Sequence, residues 1–445
     1  MPTCVPSNTL RPTARTFATI ADVTDAIDEL QWRGLIALST DLDALRAELS
    51  KGPVTYYVGF DPTAPSLHIG HLVQVLAARR LQLAGHKPLA LVGGATGLIG
   101  DPNPDSERKI NPLETVAEWV DRLRAQIEPF LDFTGPNAAT MVNNLDWTSQ
   151  LSAIEFLRDI GRHFRVNRMI AKDAVSARLN SDLGINYTEF SYQILQGMDF
   201  LELFRRHGCR LQFGGSDQWG NLTAGTDLIR RVTGETVHLI ATPLITDEHG
   251  KKFGKSSGGG SLWLDPAMTS PYALYQYLVN TPDSQVGHLL RVFTFCDREE
   301  IASLEKETAE RPHLRSGQRR LASSVVTLVH GSAEADAAVA AAGALFGRGD
   351  LGGLPESTLR AALSEAGLVS APPDAPLAEL MRLAGLVAGR GEARRVVTEG
   401  GAYVNNVRVT GGADDPVAAS DLLHGRYLVL RRGKKTVAGV DLRAV

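Results

Sequence analysis

The sequence predicts a Rossmann-like, doubly wound α/β sheet, followed by a helical domain and a small α+β domain. Three observations predict it. Apolar runs of strand length alternate with amphipathic helical stretches between residues 25 and 242. After residue 265 the strand signal stops and helical periodicity takes over. From residue 376 short helices give way to short strands separated by turn residues.

The elements follow in order. Residues 54–60 read as a buried strand, and 68–83 as an amphipathic helix with Leu72, Leu76 and Leu83 among its apolar positions. Residues 88–92 form a second strand that runs into the glycine-rich turn 93–100, and 140–143 and 210–213 are further strands with helices between. Such a sheet takes its ligands at the carboxyl ends of the strands. Helices are expected at 270–280, 285–293, 298–311 and 314–330. Gly- and Pro-rich stretches at 347–355 and 371–376 flank one more helix at 357–368. The last unit carries short helices at 377–384 and 391–398 and strands at 402–404, 407–409 and 427–431. The expected division is an extension at 1–23, a catalytic domain at 24–265, a helical domain at 266–346, a linker region at 347–375 and a terminal domain at 376–445.

Composition excludes several classes. With 445 residues, 43% hydrophobic and 22% charged, the chain is an ordinary globular one, and it has no apolar run of membrane-spanning length. A net charge of −4 exerts no general pull on nucleic acid, so RNA contacts need a local basic patch. Cys4, Cys209 and Cys296 are far apart and make neither a metal spacing nor a disulfide framework, which points to the cytoplasm. The first residues carry Arg11 and Arg15 and no acid before Asp22. They read as a disordered tail or an early start, with a weaker likeness to a transit peptide.

Two stretches carry chemistry. The first, Asp61-Pro-Thr63-Ala-Pro-Ser66-Leu-His68-Ile-Gly70-His71, follows a strand and opens a helix. A helix start offers unpaired N–H groups and a positive dipole end, which hold phosphate. His68 and His71 share a face of the first turn and can donate to phosphate or ribose oxygens, and Gly70 admits a flat base. The bland alternative is that the two histidines cap and pack the helix. The second stretch is Lys252-Phe253-Gly254-Lys255-Ser256 and its following glycines, a mobile basic loop suited to a triphosphate or simply a solvated one. Together they resemble the paired signatures of class I aminoacyl-tRNA synthetases, which use ATP to activate a carboxylate.

Further stretches sharpen the resemblance: Tyr56 to Asp61, Gly93 to Asp101, Thr188 to Asp199, and Gly214 to Asn221 are similar to bacterial tyrosyl-tRNA synthetases. Tyr192, Gln196 and Asp199 fall on one helical face. The resemblance implies that Tyr57 and Asp199 hold the substrate hydroxyl, that Asp101, Tyr192 and Gln196 hold its ammonium, that Gln218 orients its carboxylate, and that Asn144 lies nearby. It implies that Thr63 and His68 meet the γ-phosphate end, His71 and Asp217 the ribose, and Lys252 and Lys255 the leaving pyrophosphate. Asp61, Gly70 and Ser256 complete the ATP site. ATP enters as a substrate with Mg²⁺ held by its phosphates, and no protein-ligated metal is expected. Two departures stand out: Val58 replaces a cysteine of many relatives, and the 101–108 stretch is shortened and lacks the usual lysine, for which Arg108 or Lys109 could substitute.

The terminal unit resembles an S4-type RNA-binding domain through Gly391 to Asn405, with Arg390, Arg394, Arg395, Arg408, Arg431 and Lys434 on a phosphate-tracking face. The implied partners are L-tyrosine, ATP, tRNA(Tyr) and a second copy of the chain, with no membrane. The rival readings are a tryptophanyl-tRNA synthetase and an RNA-binding regulator without charging activity.

Overall fold

The computed structural model describes residues 25–103, 106–246, 248, 250, 252–254, 260–433 and 436–442. The expected extension at 1–23 and Lys255, Ser256 and Lys434 lie outside the described residues. The chain forms two compact units: one runs to residue 265 and includes 287–301, and the other comprises 266–286 and 302–445.

The first unit is built on a six-stranded sheet of β1 (Leu38–Ser39), β2 (Thr55–Phe60), β3 (Lys87–Val92), β4 (Thr140–Asn143), β5 (Cys209–Gly215) and β6 (His238–Thr242), in the order β1-β6-β5-β2-β3-β4. Every pair is parallel except the short edge strand β1 against β6. Helices cover both faces, so the inner strands read as apolar runs: residues 88–92 and the whole of β6 are buried. The chain winds from β2 through β3 to β4, then returns to β5 beside β2. The order therefore reverses between β2 and β5, and their carboxyl ends open a crevice. Strands β1 and β6 add to the four that the sequence suggests.

Helix Tyr187–His207 delivers the face that carries Tyr192, Gln196 and Asp199. Asn186 caps it by accepting from Glu189 N–H at 2.9 Å, Arg205, Arg206 and His207 sit in its last turn, and Gly208 ends it at φ +63°. Its first turn is anchored by a buried ion pair: Arg178 and Glu189 are each 1% exposed, and Arg178 Nη2 donates to Glu189 Oε2 at 3.0 Å. Arg178 also donates to the carbonyls of Asn103, Ser106 and Gly184, and Glu189 accepts the Arg108 N–H at 3.1 Å. The shortened 101–108 stretch is thus held from below by one guanidinium.

In the second unit, helices Pro271–Val279, Ser316–His330, Ser332–Ala344 and Glu356–Glu365 pack together. A five-stranded sheet follows, in the order β7 (Leu368–Ala371), β11 (Thr436–Leu442), β10 (Tyr427–Arg432), β8 (Ala402–Val404), β9 (Val407–Arg408). The stretch expected as linker contains β7, which pairs parallel to β11. The β8–β9 hairpin turns on Asn405 and Asn406, at φ +46° and +68°, the left-handed pair that a two-residue hairpin with the correct twist requires. Asn406 Nδ2 donates to the Ala344 carbonyl at 2.7 Å and its Oδ1 accepts from Arg431 Nη1 at 2.6 Å, so the hairpin is clasped to the end of a helix.

Removing one partner of a buried ion pair leaves the other charge uncompensated, at roughly 3–5 kcal/mol. Glu189→Gln should therefore lower unfolding free energy by about 3 kcal/mol in urea titrations. A change below about 1 kcal/mol would mean that the pair is not the anchor of this helix.

Candidate active site

A cavity of about 410 Å³ opens at the carboxyl ends of β2 and β5. Every described residue expected in the site lines it except Asn144.

One end is built on the start of helix Ile69–Leu83. His68 Nδ1 accepts the Gly70 N–H at 3.1 Å, and His71 Nδ1 accepts the His68 N–H at 3.2 Å. With each Nδ1 an acceptor, the ring proton sits on Nε2, which makes Nε2 the donor. Burial, with His68 adding to it, pulls the His71 pKa down to about 3, so His71 is neutral at physiological pH. The two rings stack at 3.8 Å. The histidines therefore do cap the helix, and the cap is what fixes their tautomers. Gly70 is explained by the same geometry, because a Cβ there would lie 2.9 Å from His68 Cε1.

The basic loop is tied to this helix. The Ile69 N–H, one of the donors a helix start leaves open, is taken by the Leu262 carbonyl at 3.0 Å. Leu262 N–H in turn reaches the Gly254 carbonyl at 2.8 Å. Gly254 has φ +84°, and a Cβ would sit 2.2 Å from Ile69 Cγ2, so both backbone and space demand glycine. Lys252 Nζ lies 3.9 Å from Asp217 Oδ2, with both side chains largely exposed. Thr63 lines the cavity nearby and is exposed.

The other end holds three carboxylates. Asp61 accepts from Thr96 Oγ1 and from the Tyr192 hydroxyl, each at 2.6 Å, and burial pushes its pKa up to about 6. Asp199 accepts from Asn144 Nδ2 and from the Trp147 indole, each at 2.9 Å, and burial pushes it up to about 7. Asp101 accepts from Gln218 Nε2 at 3.1 Å and Asn221 Nδ2 at 3.0 Å, and is also raised by burial. Beside them the Tyr57 hydroxyl and the Gln196 and Gln212 side-chain oxygens are buried without a hydrogen-bond partner. An unsatisfied buried polar atom costs free energy, and three around one cavity mark a place built for a polar guest. Asn144 is wholly buried behind Asp199, and its Oδ1 takes the Ala95 N–H at 2.7 Å. It supports the site from behind. In the altered stretch Arg108 reaches the cavity, with Nε donating to the Asp101 carbonyl at 2.6 Å, while Val58 lines the wall.

In the terminal domain, Arg390, Arg394 and Arg395 are exposed and face Glu379, Asp414 and Glu399 at 2.7, 2.9 and 3.9 Å. Arg408 is exposed on β9. Arg431 departs from the expected face: it is 8% exposed, its guanidinium serving the Asn406 clasp and lying over the Tyr403 ring.

The chain is similar in sequence and fold to known proteins. A sequence profile described as tRNA synthetases class I (W and Y) matches residues 49–347, and one described as the tyrosine–tRNA ligase SYY-like C-terminal domain matches 364–438. The tyrosine–tRNA ligase of Streptomyces avermitilis is 63% identical over 422 residues, covering 94% of this chain and 99% of that one. The chain belongs to the tyrosine–tRNA ligases, within the class I tRNA synthetases. A C-terminally truncated mitochondrial tyrosyl-tRNA synthetase from Coccidioides posadasii superposes with a TM-score of 0.62 at 32% identity, covering 71% of this chain and 91% of that one. A tryptophanyl-tRNA synthetase from Encephalitozoon cuniculi, at 15% identity and a TM-score of 0.52 over 75% of this chain and 89% of that one, shares the fold.

Several residues of this ligase's site escape sequence reasoning. Trp147 and Gln212 sit under and in the cavity with nothing local to flag them, and Thr96 lies inside the recognised 93–101 stretch without a role read for it. Asn221 lies inside a recognised stretch, and Lys172, which donates to Asn221 Oδ1 at 3.0 Å, lies in none.

The raised Asp199 has a consequence for stability. Its folded pKa of about 7 lies above its ordinary value of 3.8, so folding takes up a proton between those limits. The stabilisation is complete at the acid end and lost as pH rises through 7. Asp199→Asn removes this dependence. Relative to the parent, the variant should gain stability as pH rises from 5 to 8, by up to ~1.4 kcal/mol per unit. A pH-independent difference in urea titrations would show that Asp199 titrates normally.

Proposed function

We propose that this ligase activates L-tyrosine with MgATP and transfers the tyrosyl group to tRNA(Tyr), with the expected residues in their expected roles. The observation that carries the reading is the pairing, in one buried cavity, of the unpartnered Tyr57 hydroxyl with the Asp199 carboxylate. A phenol supplies a donor and an acceptor to match them. Phenylalanine leaves both unpaired, at about 1–3 kcal/mol each.

In the first step the tyrosine carboxylate, oriented by Gln218, attacks the α-phosphate, and the bond to the β-phosphate breaks to release diphosphate. Asp101, Tyr192 and Gln196 receive the ammonium. Neutral His68 and His71 donate from Nε2 to the nucleotide, joined by Thr63, Asp61, the Gly70 backbone and Asp217. Lys252, Lys255 and Ser256 take the charge that develops on diphosphate. The Mg²⁺ arrives with ATP as part of the substrate. In the second step a terminal ribose hydroxyl of tRNA attacks the acyl carbon and AMP leaves. Exposed Arg390, Arg394, Arg395 and Arg408, with Lys434, serve the RNA; their surface ion pairs are weak enough to exchange for phosphate. The reading places the ligase in the cytoplasm.

The test is ATP–diphosphate exchange over a panel of amino acids. Tyrosine alone should support exchange, with phenylalanine lower by roughly 10²-fold or more. Lys255→Ala should slow adenylate formation far more than it weakens tyrosine binding, and Arg394→Ala/Arg395→Ala should lower tRNA charging with exchange intact. Exchange with tryptophan, or with no amino acid, overturns the reading.

A homodimer is part of the proposal. Ile110, Leu113, Ile154, Leu157, Val166 and Ile170 are apolar and 42–68% exposed, and covering such side chains in a subunit contact would be favourable. Light scattering should give twice the chain mass, and Leu157→Glu should shift it toward the monomer. A parent protein that runs as a monomer at micromolar concentration removes the dimer from the proposal.

A further inference from the structure

Behind the cavity wall stands a strut that the roles above leave unused. Lys172, between helices Val166–Ile170 and Asp173–Leu179, extends its side chain across the Gly220 backbone. A Cβ on Gly220 would lie 3.1 Å from Lys172 Cε, so the glycine clears the lysine's path. Lys172 Nζ donates to Asn221 Oδ1 at 3.0 Å. With its oxygen engaged, Asn221 spends its Nδ2 twice, on Asp101 Oδ1 at 3.0 Å and on Gln218 Oε1 at 2.9 Å. Gln218 Nε2 closes the ring on Asp101 Oδ2 at 3.1 Å. Asp101 and Gln218 line the cavity, whereas Lys172 and Asn221 do not.

The amide of Asn221 has two possible orientations; burial lowers the Lys172 pKa to about 7, and in its ammonium form Lys172 has no lone pair and permits only the one that faces the amide oxygen toward it. An amide oxygen facing Lys172 forces the NH₂ toward Asp101 and Gln218. That NH₂ then fixes the carboxylate and sets the Gln218 oxygen as acceptor, leaving Gln218 Nε2 as the donor. We infer that Lys172 is a positioning residue for substrate binding, acting through Asn221 to orient Asp101 and Gln218 toward the amino and carboxylate groups of the amino acid. This inference rests on the tyrosine-activation reading.

The experiment is ATP–diphosphate exchange on the full-length protein, with tRNA charging measured in parallel. Tyrosine exchange by the parent protein tests the underlying reading separately, since a parent that fails to exchange tyrosine removes that reading whatever the variants do. Lys172→Met keeps the stem and removes the donor, and Asn221→Ala removes the relay. Each should raise the KM for tyrosine about tenfold, with the KM for ATP and the melting temperature nearly unchanged. The double variant should be no worse than the poorer single one, because both cut the same chain. Asn221→Asp, which cannot donate to Asp101, should be as poor as Asn221→Ala. An unchanged tyrosine KM in Lys172→Met, additive effects in the double variant, or a defect confined to tRNA charging would each overturn the inference.

Discussion

Three carboxylates around one cavity, Asp199 buried and Asp61 and Asp101 half-buried, are the constraint to which the first unit answers. Asp61, Asp101 and Asp199 are all raised by burial, and the charge of one raises another: Asp101 acts on Asp61, and Asp61 on Asp199. A buried charge is tolerated only with partners. Here the hydrogen bonds to these groups come from neutral donors: Thr96, Tyr192, Asn144, Trp147, Gln218 and Asn221. Neutral donors stabilise a carboxylate without cancelling its charge, so the pocket keeps a negative field for a cationic ammonium. The cost is a network in which each donor must itself be held, which is why support reaches back to Lys172 on one side and to the Ala95 amide on the other.

The opposite end of the cavity follows a different rule. On the proposed reading the guest there is an anion, met by N–H donors and by Lys252. His71 is kept neutral by burial, the same cause that raises the acids, so desolvation disfavours the charged form at both ends of the cavity. The sheet separates the two regimes, because the reversal of strand order between β2 and β5 opens a crevice with a different helix on each side.

Much of this was legible in the sequence. The strand runs of β2 and β3 were visible because inner strands buried on both faces are largely apolar, and the paired signatures located the cavity. Other parts were hidden for physical reasons. Helix Ser332–Ala344 is largely alanine, which favours helix strongly but shows no apolar stripe. β7 has four residues and finds its partner β11 far along the chain, a pairing no local window contains. Arg431 reads as one more basic residue, and only the fold shows that Asn406 needs it. Trp147 and Lys172 act one layer behind the cavity, where spacing along the chain carries no information about distance in space.

The contact between Gly254 and Ile69 joins two signatures that lie far apart in the chain. The room that Gly254 lacks is filled by a methyl group of Ile69, and the Ile69 amide is spent on the Leu262 carbonyl. Gly254 cannot gain a side chain even beside a smaller residue at 69, because its φ of +84° demands glycine, and Ile69 has no room to grow toward it. The two signatures are in this sense a single packed part, and a variant library that randomises one while freezing the other explores mostly broken contacts.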